Sequence, residues 1–152
     1  MKGDTVVSLD DCPFCKIVRG ENRAAIVYDD EDHICIMDRY PFNPGHVLVM
    51  PKRHYSTILE MPSSEVGRLF TLVAELTKVI ARALKADGLN IGQNNGVAAH
   101  QLVPHVHVHI IPRYVRDAAE GHFPVRKRMS FEELERIAEI IRQESARSFS
   151  VV

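Results

Sequence analysis

One run of nine residues, His105-Val106-His107-Val108-His109-Ile110-Ile111-Pro112-Arg113, constrains this chain more than any other. The residues between the histidines are β-branched, and a strand sends successive side chains to opposite faces. Read as a strand, the run sets His105, His107 and His109 in a row on one face. Val106, Val108 and Ile110 then point to the other face, toward a core. Same-face neighbours in a strand sit roughly 6.5–7 Å apart, so a small phosphate or a metal could bridge two imidazoles. A polar outer face alone would not demand histidine three times at strict alternation. A pKa near neutrality makes histidine the usual proton-transfer group and the commonest metal ligand, so the run reads as a working site.

The rest of the chain supplies a frame for that strand. Ala25–Tyr28, His33–Met37, His46–Met50 and Leu89–Asn94 have the composition of short strands, bounded by turn residues. Between the third and fourth, Val66, Leu69, Phe70, Val73, Leu76, Ile80, Ala83 and Leu84 keep the spacing of one apolar helical stripe. Ser63 or Ser64 is the expected N-cap of that helix, and Asp87-Gly88 its stop. Ser130-Phe131-Glu132-Glu133 reads as a capping box, and Leu134, Ile137, Ala138 and Ile141 trace one face of a C-terminal helix. That helix is expected to pack on the domain or on a partner subunit. The predicted architecture is α+β: a five-stranded, mainly antiparallel sheet with one long helix and a C-terminal helix.

Length and charge narrow the function. At 152 residues and 45% hydrophobic content, one domain spanning residues 1–152 is expected, with a modest core. A formal net charge of −1 argues against broad nucleic-acid binding. No stretch resembles a membrane span, and Met1–Leu9 is too short and polar for a signal peptide, so the expected compartment is the cytoplasm. Met1–Asp10 reads as a loose terminus. Cys12 and Cys15 form a C-x-x-C without the βαβ context of a disulfide oxidoreductase, and two sulfurs are half of a tetrahedral zinc site. Cys35, inside a strand, reads as a buried thiol.

The alternating histidines match the His-φ-His-φ-His-φ-φ signature of the histidine triad (HIT) family, where φ is apolar. Pro44-Gly45-His46-Val47-Leu48-Val49 resembles the family's P-G-H-x-L-V strand, Gln93-Asn94-Asn95-Gly96 with Gln101 resembles its phosphate loop, and Ile110-Ile111-Pro112-Arg113 continues the signature. The similarity runs from about Cys12 to Tyr114, leaving a C-terminal extension over about 115–152. It is strongest to the zinc-bearing branch, similar to the Hint and fragile-histidine-triad nucleotide hydrolases. The resemblance implies a homodimer with one sheet continued across both subunits, a small-molecule nucleotide substrate, and no nucleic-acid or membrane partner.

What the resemblance implies for individual residues is specific. His107 would be the nucleophile at the α-phosphorus of an adenosine-type phosphoramidate or dinucleoside polyphosphate, forming a nucleotidyl-histidine that water then opens. One of its ring nitrogens must be held protonated, and a backbone carbonyl is the expected partner. His109 would assist at the phosphate or leaving group, with His105 completing the triad; His46 either supports it from behind or is a core histidine. Asp38 would accept the ribose hydroxyls, while Asn94, Gln101 and the backbone N–H of Leu102 would meet the phosphate. Phe14 and Ile17 would wall the base or simply pack in the core. Cys12, Cys15, His54 and His105 correspond to the ligands of a structural Zn²⁺ ion; the alternative is free thiols.

Two positions depart from the family pattern. Leu102 stands where a serine or threonine hydroxyl often donates to phosphate, and His100 where glycine is common. His100 is a leaving-group contact or an exposed loop residue; His33 and His122 read as surface residues. The tail beyond Tyr114 carries no motif and is expected to fold over the pocket of either subunit. A nucleotidyl transferase using the same histidine, and a binding module with incidental turnover, remain as alternatives to hydrolysis.

Overall fold

A computed structural model describes residues 9–149; the loose terminus expected over Met1–Asp10 lies outside them except for a 3₁₀ turn at Leu9–Asp11. Helix α1 (Pro13–Val18) precedes strands β1 (Ile26–Asp29), β2 (His33–Met37) and β3 (Val47–Pro51). The long helix α2 (Ser63–Leu84), β4 (Gly88–Gly92), β5 (Val108–Arg113) and α3 (Phe131–Phe149) follow. The strands form one sheet in the order β1-β2-β3-β5-β4, with every pairing antiparallel. No helix among the described residues is long and apolar enough to cross a membrane.

Strand alternation divides the interior in two. Cys35, Met37, Val47, Val49, Val108 and Ile110 face α2 and α3, burying Leu69, Val73, Leu76, Ile80, Leu134, Ala138 and Ile141 against them. Ile34, Ile36, Leu48 and Met50 face the other way, against Cys12, Phe14 and Cys15 of the N-terminal segment. His109 pairs across the ladder with Leu48, so it shares this second face, away from both long helices. The C-terminal helix packs on its own domain, and its capping box is reciprocal: Ser130 N–H donates to Glu133 Oε2 at 2.8 Å and Glu133 N–H to Ser130 Oγ at 3.2 Å.

Several boundaries differ from the sequence reading. The histidine strand begins at Val108, not His105, because Val106 N–H turns aside to Tyr55 O at 2.8 Å and the His105 ring is drawn to another cluster. Pro62, not Ser63 or Ser64, is the N-cap of α2, and both serines enter its first turn. The helix stops at Lys85, which takes the left-handed conformation (φ 51°). Gly88 is unavailable as the stop because it pairs with Arg113 in the sheet. Gly45 has φ +97°, and a Cβ there would lie 2.1 Å from Leu84 Cδ1. Only glycine lets the chain pass the end of α2 and deliver His46 to the sheet.

Candidate active site

Four side chains converge behind the sheet edge near α1. Cys12 Sγ lies 3.4 Å from His105 Nδ1, Cys15 Sγ 3.3 Å from His54 Nδ1 and 3.6 Å from His105 Nδ1, and the two Nδ1 atoms are 3.2 Å apart. Tetrahedral zinc, about 2.3 Å from sulfur and 2.0–2.1 Å from nitrogen, holds its ligand atoms about 3.3–3.8 Å apart. The cluster is therefore at ligand spacing. His105 Nε2–H donates to Pro51 O at 2.8 Å, which leaves the Nδ1 lone pair facing the thiols. Two imidazole nitrogens and two thiols at these separations fit a cation among them. Burial and the neighbouring Cys12 push the Cys15 thiol up to about 11, so a metal entering here must displace protons. His105 is fully buried in this cluster. The expected row of three imidazoles on one cavity is thus reduced to two.

The other histidines form a chain whose tautomers follow from its hydrogen bonds. Phe42 N–H donates to His46 Nδ1 at 3.1 Å, which places the proton of neutral His46 on Nε2. That Nε2–H donates to His109 Nδ1 at 2.8 Å, so the remaining proton of His109 sits on its own Nε2. His107 Nδ1–H donates to the backbone carbonyl of His105 at 2.7 Å, leaving its Nε2 a lone pair. The His107 and His109 rings are 5.1 Å apart, one presenting a lone pair and the other a donor. Burial holds the three neutral: His46 falls to about 3 and His109 to about 4, and His107 moves in the same direction. His46 is fully buried and stacked on Phe42 at 5.7 Å, behind His109.

His107 and His109 open into a cavity of about 990 Å³, which Asp38, Asn94, His100, Gln101, Leu102, Phe14 and Ile17 also line. Phe14 meets His107 edge-on at 5.1 Å, so it serves core and cavity together. Gln101 lines the cavity and is engaged within the loop. Its side chain accepts from Gly96 N–H at 2.7 Å and donates to Ser56 O at 2.6 Å, and its own N–H goes to Gly96 O. It braces the loop through both atoms of its side-chain amide. The Leu102 side chain stands 85% exposed at the mouth. His100 caps the Val97–Ala99 3₁₀ turn in the left-handed region (φ 65°), and its carbonyl accepts from Asn94 Nδ2 at 3.5 Å. His33 is half-buried against Asp30, whereas His122 is exposed.

The tail supplies residues that sequence reasoning missed. Arg126, Arg128, Met129, Phe131 and Leu134 line the same cavity of the same chain. Arg126 Nη1 donates to Asp38 Oδ2 at 3.3 Å and to Tyr40 O at 2.9 Å, and Met129 N–H donates to Arg39 O at 3.0 Å. These partners are nearly ninety residues apart in the chain, and no local pattern marks them.

Residues 19–116 match the family model described as HIT domain. Adenylylsulfatase HINT3 of Arabidopsis thaliana is 44% identical over 108 residues, covering 71% of this chain and 55% of its own length. The chain therefore spans about half of that relative. An adenosine 5′-monophosphoramidase of Candida albicans is 35% identical over 114 residues, covering 72% of this chain and 74% of its own. The crystal structure of a Zn-bound histidine triad family protein from Mycobacterium smegmatis superposes with a TM-score of 0.82 at 31% identity, covering 95% of this chain and all of that one.

Proposed function

This chain belongs to the HIT-domain family, and from that premise we propose that it is a nucleotidyl hydrolase acting at the α-phosphate of adenosine-type nucleotides. The observation that carries the reading is the pair of opposed tautomers at the cavity. His107 Nε2 is a lone pair because Nδ1–H is spent on His105 O, and His109 Nε2 carries a proton because Nδ1 accepts from His46. The relatives named for an adenylylsulfate and for an adenosine phosphoramidate support substrates in which AMP is joined to a small leaving group.

In the first step His107 Nε2 attacks the α-phosphorus; the N–P bond forms as the bond to the leaving group breaks, and the electron pair departs with that group. His109 Nε2–H donates to the phosphoryl oxygen or the leaving atom, where negative charge grows. In the empty cavity His109 is neutral, so it begins as a hydrogen-bond donor. In the second step water opens the nucleotidyl-histidine, AMP leaves, and His107 regains its lone pair. Asp38 would accept the ribose hydroxyls, with Asn94 and the Leu102 N–H toward the phosphate and Phe14 and Ile17 toward the base.

Cys12, Cys15, His54 and His105 would hold zinc. Four protein ligands would leave no open position, so a bound zinc would act structurally, stiffening the segment that carries His107. A homodimer and a single-domain chain complete the reading. Among the described residues β4 pairs only with β5, and its other edge is open to a strand from a second copy, with Ile91 about half-exposed on it.

The test is a product assay on adenosine 5′-phosphoramidate and adenylyl sulfate, with and without inorganic phosphate. The expected result is AMP from both substrates regardless of phosphate, falling by at least about 10³-fold in H107N with the fold retained. Formation of ADP at the expense of AMP when phosphate is added would point to transfer. Unchanged turnover in H107N would dismiss the mechanism.

A further inference from the structure

We propose that Phe123 and Arg126 of the tail are positioning residues: they clamp Phe42, so that its N–H holds the proton order of His46 and His109. This rests on the reading of His109 as the donor to the phosphoryl oxygen or the departing group. That donor exists only while the chain of bonds is intact from Phe42 inward. Phe42 N–H occupies His46 Nδ1 at 3.1 Å, so His46 carries its proton on Nε2 and His109 keeps its own on Nε2. With a proton on His46 Nδ1 instead, His46 Nε2 would become an acceptor. His109 would then turn an Nδ1–H toward it, and its Nε2 would face the cavity as a second lone pair beside His107. One backbone donor therefore decides whether the cavity meets a substrate with a lone pair and a proton or with two lone pairs.

Residues 38–46 join β2 to β3 without helix or strand, so Phe42 is placed by its side chain and its neighbours. Its ring lies within 10° of parallel to His46. The tail packs the same ring: Phe123 lies 4.8 Å away between centroids, and the Arg126 guanidinium 4.2 Å from the Phe42 centroid. Arg126 Nη1 also donates to Tyr40 O at 2.9 Å, two residues before Phe42. Phe123 is backed by Arg113, 5.0 Å from its centroid, and Arg113 is fixed on Asp117 by two hydrogen bonds of 2.8 Å. Asp117 in turn accepts from Asn43 Nδ2 at 2.7 Å. The tail thus grips the loop on both sides of Phe42 as well as on its ring.

Arg126 acts at the other end of His46 too. Asp38 Oδ2 lies 3.5 Å from His46 Nε2, a second acceptor for the proton that His109 Nδ1 takes at 2.8 Å. Arg126 Nη1 donates to that same carboxylate oxygen at 3.3 Å. A guanidinium on the oxygen weakens its pull on the imidazole proton and leaves that proton to His109. Fastening of the tail alone is already supplied by Met129 N–H on Arg39 O, whereas Phe123 and Arg126 converge on the two groups that set the His46 proton. Phe123 is 47% exposed and the Arg126 side chain 34%, so neither is a core residue whose replacement would unfold the chain.

Two-bond ¹H–¹⁵N correlation spectra of the labelled full chain at neutral pH read the tautomer of each histidine ring. The wild type should show His46 and His109 both protonated on Nε2. F123A/R126Q should move His109 toward the Nδ1–H form. Its kcat on adenosine 5′-phosphoramidate should fall at least about threefold, a part of the roughly 10²–10⁴-fold that a positioned proton donor supplies. F123L, which keeps an apolar side chain against Phe42, should shift the pattern less and in the same direction, and it carries the test if the double variant fails to fold. R126K, which keeps a cation beside Asp38, should lie between the wild type and R126Q. A lowered thermal midpoint with the His109 pattern unchanged would leave the tail a strap and overturn the proposal, as would wild-type His109 protonated on Nδ1. The ring pattern is read without substrate, so failure of the hydrolase reading would appear separately in the product assay.

Discussion

His46 and His109 are kept neutral by burial, and that has a cost at low pH. Both lie below the ordinary value near 6.5, at about 3 and about 4. An unfolded chain takes up these protons first, so folding loses stability as the pH falls from about 6.5 toward 4 and below. The urea midpoint should drop steadily between pH 7 and 4.5, and more shallowly in H109Q, which has one fewer buried imidazole to protect. Parallel slopes for the two proteins would contradict this. That His107 and His109 face one cavity was legible in the sequence because alternation is a local property. That His105 leaves the row was not, since the Pro51 carbonyl and the thiols that capture it come from distant segments.

At the scale of elements, one glycine and one leucine separate geometry from burial. Gly45 combines a positive φ with a close approach to the Leu84 side chain, which a Cβ would force to move, so G45A should destabilise the fold and displace the start of β3, with His46 beside it. A normal thermal midpoint in G45A would refute this. Leu69 is fully buried on the stripe of α2, and L69A should cost about 2–5 kcal/mol in chemical denaturation while leaving the active-site residues in place. A loss below about 1 kcal/mol would mean the site collapses around the change. The capping box of α3 was readable because Ser130 and Glu133 satisfy each other within one turn. The end of α2 was not, because Gly88 is claimed by the sheet and the left-handed position falls to Lys85.

In the whole molecule the Cys/His cluster adjoins the candidate cavity. The Cys12, Cys15, His54 and His105 cluster sits at the root of the segment that carries His107, so on the proposed reading removing a bound ion should loosen that histidine. Purified protein should carry close to one zinc per chain, and C15S should lose the metal and several degrees of thermal midpoint. Metal-free protein of undiminished stability would count against a structural ion. The other wall of the cavity is the tail, held by Arg126 and Met129. Its fold over the pocket was expected from the sequence, but the residues that hold it were not, because Arg126 and Met129 meet Asp38, Tyr40 and Arg39 only after the sheet has formed.

A covalent bond between His107 and phosphorus is what distinguishes the proposed mechanism from direct attack by water. Rapid acid-free quenching of the enzyme with a slow adenylyl substrate, followed by intact-mass and peptide analysis, measures it most directly. The expected result is one adenylyl group per active chain, on the peptide containing His107, absent in H107N and discharged to AMP with time. Multiple turnovers with no adduct at any time point, and activity retained in H107N, would contradict it.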